Sequence, residues 1–231
     1  MLGLHSDLSI ESFFSERFSQ YRSTISQVSR SDDGRFSVES DVLAWNFDGI
    51  TGSYFSRIHP YSTDCILFSN NNIYFVEFKS GLDKLVDWSN FDPNGICCRV
   101  LGDRPCHHYG ILLRQRDDYK EKMLLLNFQM KASDSYKTFE RKIIPEIDCS
   151  AEIYREYRLH LVAVVDCDNV ENSLYENILF QMSESNPIPT TNHITKIQNA
   201  LNKFRESEFW FDEVLVYGKQ EFQDFLRDNF S

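Results

Sequence analysis

The chain has no apolar run approaching the ~18 residues that a membrane-spanning helix needs, so no transmembrane segment is expected. Its first residues, MLGLHSDLSIES, hold no basic region followed by an apolar stretch, so no secretory signal is expected either. Positive charge is in deficit: 24 Lys and Arg stand against 35 Asp and Glu, a net charge of −11. Such a balance argues against a strong non-specific grip on nucleic acid by the chain as a whole, while leaving room for a local basic patch. GxSxG, P-loop and GxGxxG motifs are all absent, which removes the usual signatures of serine hydrolases, P-loop nucleotide hydrolases and dinucleotide enzymes. Cysteine is limited to six residues, and in a long chain without a secretion signal these read as free thiols of a cytoplasmic protein.

What is present is an aromatic-rich chain of 231 residues, 42% apolar, with 19 Phe and 11 Tyr, enough for one large domain. The most informative stretch is 64–79, DCILFSNNNIYFVEFK. Two apolar runs flank Ser69-Asn70-Asn71-Asn72, and Asn tolerates the left-handed backbone of tight turns. A hairpin with 69–72 as its loop sets Phe68 opposite Ile73 and Asp64 opposite Glu77. Strand alternation then turns Glu77 and Lys79 to one side and Phe78 to the other. Two carboxylates directly opposite repel each other, and a hard divalent cation between them reverses that penalty.

Asp64 followed by Glu77-Phe78-Lys79 on the next strand resembles the PD-(D/E)xK nuclease superfamily. The resemblance implies a restriction-endonuclease-like core, a central mixed β-sheet flanked by helices. It implies Mg²⁺ or Mn²⁺ bound by Asp64, Glu77 and the Phe78 backbone carbonyl, with Lys79 placing or activating the attacking water. Thr63 stands where the motif has proline. An additional acidic residue is often carried on an upstream helix, for which Glu11, Glu16 and Glu39 are the candidates. The implied activity is metal-dependent hydrolysis of phosphodiester bonds in DNA, with RNA second. The implied settings are repair, mobile elements or phage defence, with a partner protein or a homodimer where the acidic chain needs help on its substrate. A non-catalytic nuclease-like interaction subunit is the alternative.

Elsewhere the pattern predicts a helix over 7–21, a turn at 30–35, an extended segment over 36–47, turns at 48–49 and 51–52, and a strand over 53–58. Residues 82–117 read as an irregular insertion. It carries Arg99, Arg104, Arg114 and Arg116, the candidates for phosphate contact. Cys97, Cys98, Cys106, His107 and His108 follow a C-C-x(7)-C-H-H spacing that matches no standard structural zinc site. Residues 117–144 predict a helix capped by Asp117-Asp118, with Met123, Leu126, Phe128 and Met130 on a buried stripe and Gln129 or Lys131 as supports for the site. The run 157–165 predicts a central strand, followed by Asp166 and Asp168. After a loop over 183–193, residues 195–206, 211–217 and 219–230 predict a helix, a strand and a closing helix, together an α/β extension from about residue 190.

Overall fold

The structure is a computed structural model and describes residues 9–31, 34, 36–80, 107–147, 154–166, 193–206 and 210–230; for 107–121, 193–196 and 206 it describes the backbone alone. The first helix, α1 (Ile10–Arg17), starts at Ser9, whose side chain accepts from the Ser12 N–H. A 3₁₀ turn leads into a short strand, β1 (Arg22–Thr24), and a one-turn helix, α2 (Ile25–Val28). Strand β2 (Leu43–Asn46) runs into helix α3 (Phe47–Tyr54). The hairpin follows as β3 (Cys65–Ser69) and β4 (Asn72–Lys79). The long helix α4 (His107–Thr138) continues through a π turn (Phe139–Ile143) and a 3₁₀ turn (Ile144–Glu146) that contains Pro145. Strand β5 (Arg158–Val165), helices α5 (His193–Leu201) and α6 (Lys203–Glu206), strand β6 (Glu213–Gly218) and helix α7 (Lys219–Phe230) complete the described elements.

The six strands form one mixed sheet in the order β1-β2-β3-β4-β5-β6. The first four are antiparallel to their neighbours, while β4–β5 and β5–β6 are parallel. Strand alternation divides the core. Ile66, Phe68, Ile73, Phe75, Leu161 and Ala163 pack beneath α1, α3, α4 and α5. Cys65, Leu67, Tyr74, Val76, Phe78 and Val164 face α2, the 36–38 segment and α7. Both faces of β4 and β5 are covered, as the near-continuous apolar runs require. The C-terminal segment extends this same sheet through β6, with α7 placed over it by Phe222 and Leu226.

The hairpin register is the expected one, with Phe68 opposite Ile73. Its loop is tighter than expected, because Ser69 and Asn72 also pair and only Asn70 and Asn71 turn the chain. Both have positive φ, 47° and 59°, the pattern that matches the twist of a two-residue hairpin. The Asn72 side chain ties the turn by donating to the Ser69 and Asn70 carbonyls.

Three other expectations need correction. Residues 47–54 are helix, not two turns leading into a strand. The Asn46 side chain caps it by accepting from the Gly49 N–H at 2.7 Å, and Phe47, Ile50 and Thr51 are buried at helical spacing. Gly49 is there for a close approach, since a Cβ would lie 2.9 Å from the Tyr21 ring. The extended segment 36–47 contributes a strand only at Leu43–Asn46. Helix α4 begins at His107, inside the stretch expected to be irregular, so Asp117 and Asp118 lie within the helix and do not cap it. Its buried face is also shifted: Phe128, Ala132, Ser135 and Phe139 lie against the sheet, whereas Met123, Leu126 and Met130 are 46%, 46% and 36% exposed. No described helix is long and apolar enough to cross a membrane.

Candidate functional site

The β3–β4 ladder ends at Cys65 opposite Val76. One residue beyond it, Asp64 and Glu77 face each other on the side covered by α4. The Phe78 N–H donates to Asp64 Oδ2 at 2.7 Å, so a carboxylate continues the ladder where the β3 backbone leaves off. Lys79 O and Asn71 O bond to β5. Alternation along β4 therefore turns the Phe78 N–H and C=O toward β3, on the Asp64 side. Across β5, Glu77 is opposite Ala163, whose small side chain leaves room above the strand.

Helix α4 closes the cluster. Lys131 Nζ lies 2.8 Å from Glu77 Oε2 and 3.2 Å from Asp64 Oδ1, bridging the two carboxylates. One turn further on, Ser135 Oγ accepts from the Thr63 N–H at 2.8 Å, and Asp134 Oδ2 accepts from the Tyr61 N–H. The helix thus fixes the segment that delivers Asp64. The Thr63 bond also explains the missing proline, which would have no N–H to donate. Thr63→Pro is expected to leave Ser135 unpartnered in a fully buried position and to lower stability by about 1–3 kcal/mol. Chemical denaturation of the two proteins checks this, and an unchanged midpoint would remove the role given to this bond.

Glu77 is only 1% exposed. Burial pushes its carboxyl well above the usual carboxylate range and Asp64 adds to the rise, while the Lys131 ammonium and, more weakly, Lys79 pull it down. Burial alone would lower the Lys131 ammonium, but Glu77 and Asp64 together hold it above its ordinary value. Burial, with Asp64 and Glu77 nearby, also pushes the neighbouring Cys65 thiol up, leaving it an unreactive core residue. Two carboxylates and one bridging ammonium sum to one negative charge, and Glu77 Oε1 is buried with no hydrogen-bond partner. An orphaned carboxylate oxygen beside a second carboxylate, with a carbonyl turned the same way, is an oxygen donor set suited to a hard divalent cation.

Lys79 stands at the strand end, half-buried, and forms no ion pair with either carboxylate. It borders a cleft of about 240 Å³ together with Asp64, Phe78, Ser80, Arg30 and Phe36. The cleft lies at the C-terminal end of β4 on the face that carries Phe36 and Phe78, and neither Glu77 nor Lys131 lines it. Lys131, which the sequence offered only as a support, is the cation that contacts both acids. Arg30, a cation on this cleft, went unnoticed because nothing local in its sequence marks it.

The other candidates lie elsewhere. Glu11 and Glu16 are exposed on α1, and Glu39 is exposed before β2. Among the described residues, no third His, Cys, Asp or Glu joins the pair. The Gln129 side chain donates to the Ala200 carbonyl and fastens α4 to α5, away from the carboxylates. Arg99 and Arg104 fall outside the described residues, as do Cys97, Cys98, Cys106 and Asp168. Arg114, Arg116, His107 and His108 belong to α4, where only the backbone is described. Asp166 follows β5 and donates its N–H to the Lys79 carbonyl.

Fold and site define the class: an α/β protein with a mixed sheet whose central hairpin carries a buried glutamate and a half-buried aspartate bridged by a helix lysine. No protein-family model, curated protein or solved structure matches the chain.

Proposed function

We propose that this chain is a metal-dependent phosphodiesterase of the PD-(D/E)xK nuclease type, with a restriction-endonuclease-like core, acting on DNA in preference to RNA. The observation that carries the reading is the placement of Asp64 and Glu77 on one side of the β3–β4 hairpin, with Glu77 Oε1 buried and unpartnered. The order of helix, antiparallel strands, helix and parallel strand supports it. Asp64, Glu77 and the Phe78 carbonyl would hold Mg²⁺ or Mn²⁺, which when bound supplies Lewis-acid polarisation and a water of lowered pKa. Lys79, at the edge of the cleft, places the attacking water and balances charge developing on the phosphate. Lys131 holds the two carboxylates in register and offsets their repulsion. By the resemblance, the products carry 5′-phosphate and 3′-hydroxyl ends. A cytoplasmic role in defence or repair, with a partner protein or as a homodimer, belongs to the same reading.

The purified protein is to be incubated with linear, circular and single-stranded DNA and with RNA, in Mg²⁺, Mn²⁺ or EDTA. Cleavage is expected only with metal. Lys79→Ala is expected to lose on the order of 10²-fold or more in rate, and cleavage that persists unchanged in this variant would remove Lys79 from the mechanism. The second reading, a non-catalytic interaction subunit, is favoured by one observation: the Lys131 ammonium already lies between the carboxylates. A folded protein that cleaves nothing, and whose melting ignores divalent metal, would select it.

A further inference from the structure

A second cleft, of about 190 Å³, opens between the segment after α3 and the C-terminal end of α4. Phe55 and Pro60 form its apolar side, and Lys137, Arg141 and Lys142 supply three cations against the single carboxylate of Asp134. None of the three cations forms an ion pair among the described residues. Lys142 lies over the Phe55 ring at 6.0 Å and Lys137 over the Trp210 ring at 5.4 Å, so both are held against apolar surface with their charge intact. In a chain with a net charge of −11, this is a local excess of positive charge with an aromatic rim. Tyr61, beside Pro60, is 49% exposed and free to stack.

Two routes join this cleft to the carboxylates. Pro60 precedes Asp64 by four residues. Lys131, Ser135 and Thr138 share one face of α4, and Thr138 lines the cleft. Seven residues of helix span about 10 Å, a separation that a strand crosses in a few nucleotides. Cations and an exposed aromatic ring at that spacing from a cleavage site are the elements of a single-strand track.

We propose that the cleft walled by Phe55, Lys137, Arg141 and Lys142 binds the backbone of a nucleic-acid strand a few nucleotides from the bond positioned at Asp64 and Glu77. The ligand class rests on the phosphodiesterase reading, but the measurement does not depend on cleavage.

Binding of fluorescein-labelled single-stranded DNA, duplex DNA and RNA is to be followed by anisotropy across a salt series, using full-length protein in EDTA. The Lys137→Ala/Arg141→Ala/Lys142→Ala variant is compared with wild type. Loss of three phosphate contacts is expected to flatten the slope of log K against log salt by about 2 for a single strand, at ~0.7 per contact, and by nearly 3 for a duplex. Affinity at low salt is expected to fall at least tenfold. Arg141→Ala alone, at an exposed position, is expected to give about a third of the change in slope and keeps the test open if the triple variant misfolds. An unchanged slope in a folded variant overturns the proposal. So does a lower melting temperature without a change in slope, because the cations would then only complement the helix end. Wild-type protein that binds no nucleic acid overturns it as well. Metal-dependent cleavage with an unchanged slope would leave the enzyme reading intact without this surface. Slope-dependent binding without cleavage under any metal would leave the surface intact without the enzyme.

Discussion

Glu77→Gln is expected to reduce metal-dependent cleavage by on the order of 10³-fold and, at pH 8, to raise the melting temperature. The two effects share a cause. Glu77 is almost fully buried, and two carboxylates share one bridging ammonium, so its ionised form is under-compensated. Its carboxyl accordingly titrates higher in the folded chain than in the unfolded one. For a carboxyl raised in this way, the stability contribution is complete below the unfolded value, near the ordinary ~4.3, and is lost as pH rises through the folded value. Glutamine does not ionise, still offers Lys131 an oxygen, and leaves Lys131 and Asp64 as a neutral pair. The variant's advantage should thus be absent below about pH 4, grow as pH rises, and level off once Glu77 is ionised in wild type. Each kcal/mol corresponds to about 2–4 °C for a chain of this size. Melting curves of both proteins across this pH range are the measurement. A variant that melts lower than wild type at every pH would mean that the Glu77–Lys131 bond outweighs the burial of the charge.

Lys131→Met is expected to act in the opposite direction. The methionine fills much of the same space but leaves Asp64 and Glu77 facing each other with only the weaker influence of Lys79. Removing one partner from a buried charge cluster costs about 3–5 kcal/mol. Divalent metal should restore much of that loss, because at a hundredfold excess over its dissociation constant a ligand contributes about 2.7 kcal/mol. The gain in melting temperature on adding Mg²⁺ or Mn²⁺ should be larger for the variant than for wild type, where metal must share the carboxylates with the ammonium. Added KCl at matched ionic strength should not reproduce it. A variant that is destabilised and indifferent to divalent metal would show that Lys131 is the natural counter-ion of the pair, and would take the metal reading down with it.

The parts of this site that could be read from sequence are those set by local rules. The Asn-rich turn and the two apolar runs dictate the hairpin register, and the register alone places Asp64 against Glu77. The closing helix at Lys219–Phe230 was equally legible, because its apolar spacing is regular and its ends are not disguised. Helix α3 was not legible, because Asp48-Gly49 and Thr51-Gly52 look like turns until Asn46 is seen as a cap and Tyr21 as the ring that requires a glycine. The start of α4 was hidden because the apolar run Ile111 to Leu113 is followed at once by the charged stretch Arg114 to Asp118, which breaks the apolar period. The role of Lys131 could be no more than suspected. Its partners lie 54 and 67 residues away, and only the packing of α4 on the sheet reveals which of its polar residues points inward.

From that separation along the chain, an order of assembly is expected for the cluster. The hairpin joins Asp64 to Phe78 across 14 residues, and such closures take microseconds. Lys131 arrives only when α4 docks and β5 pairs in parallel with β4, a long-range step and therefore a slow one. For that interval the nascent chain carries two carboxylates on one exposed hairpin with no ammonium between them. The repulsion between them works against the sheet's earliest piece, and it is the arrival of a helix, not the closing of the turn, that relieves it.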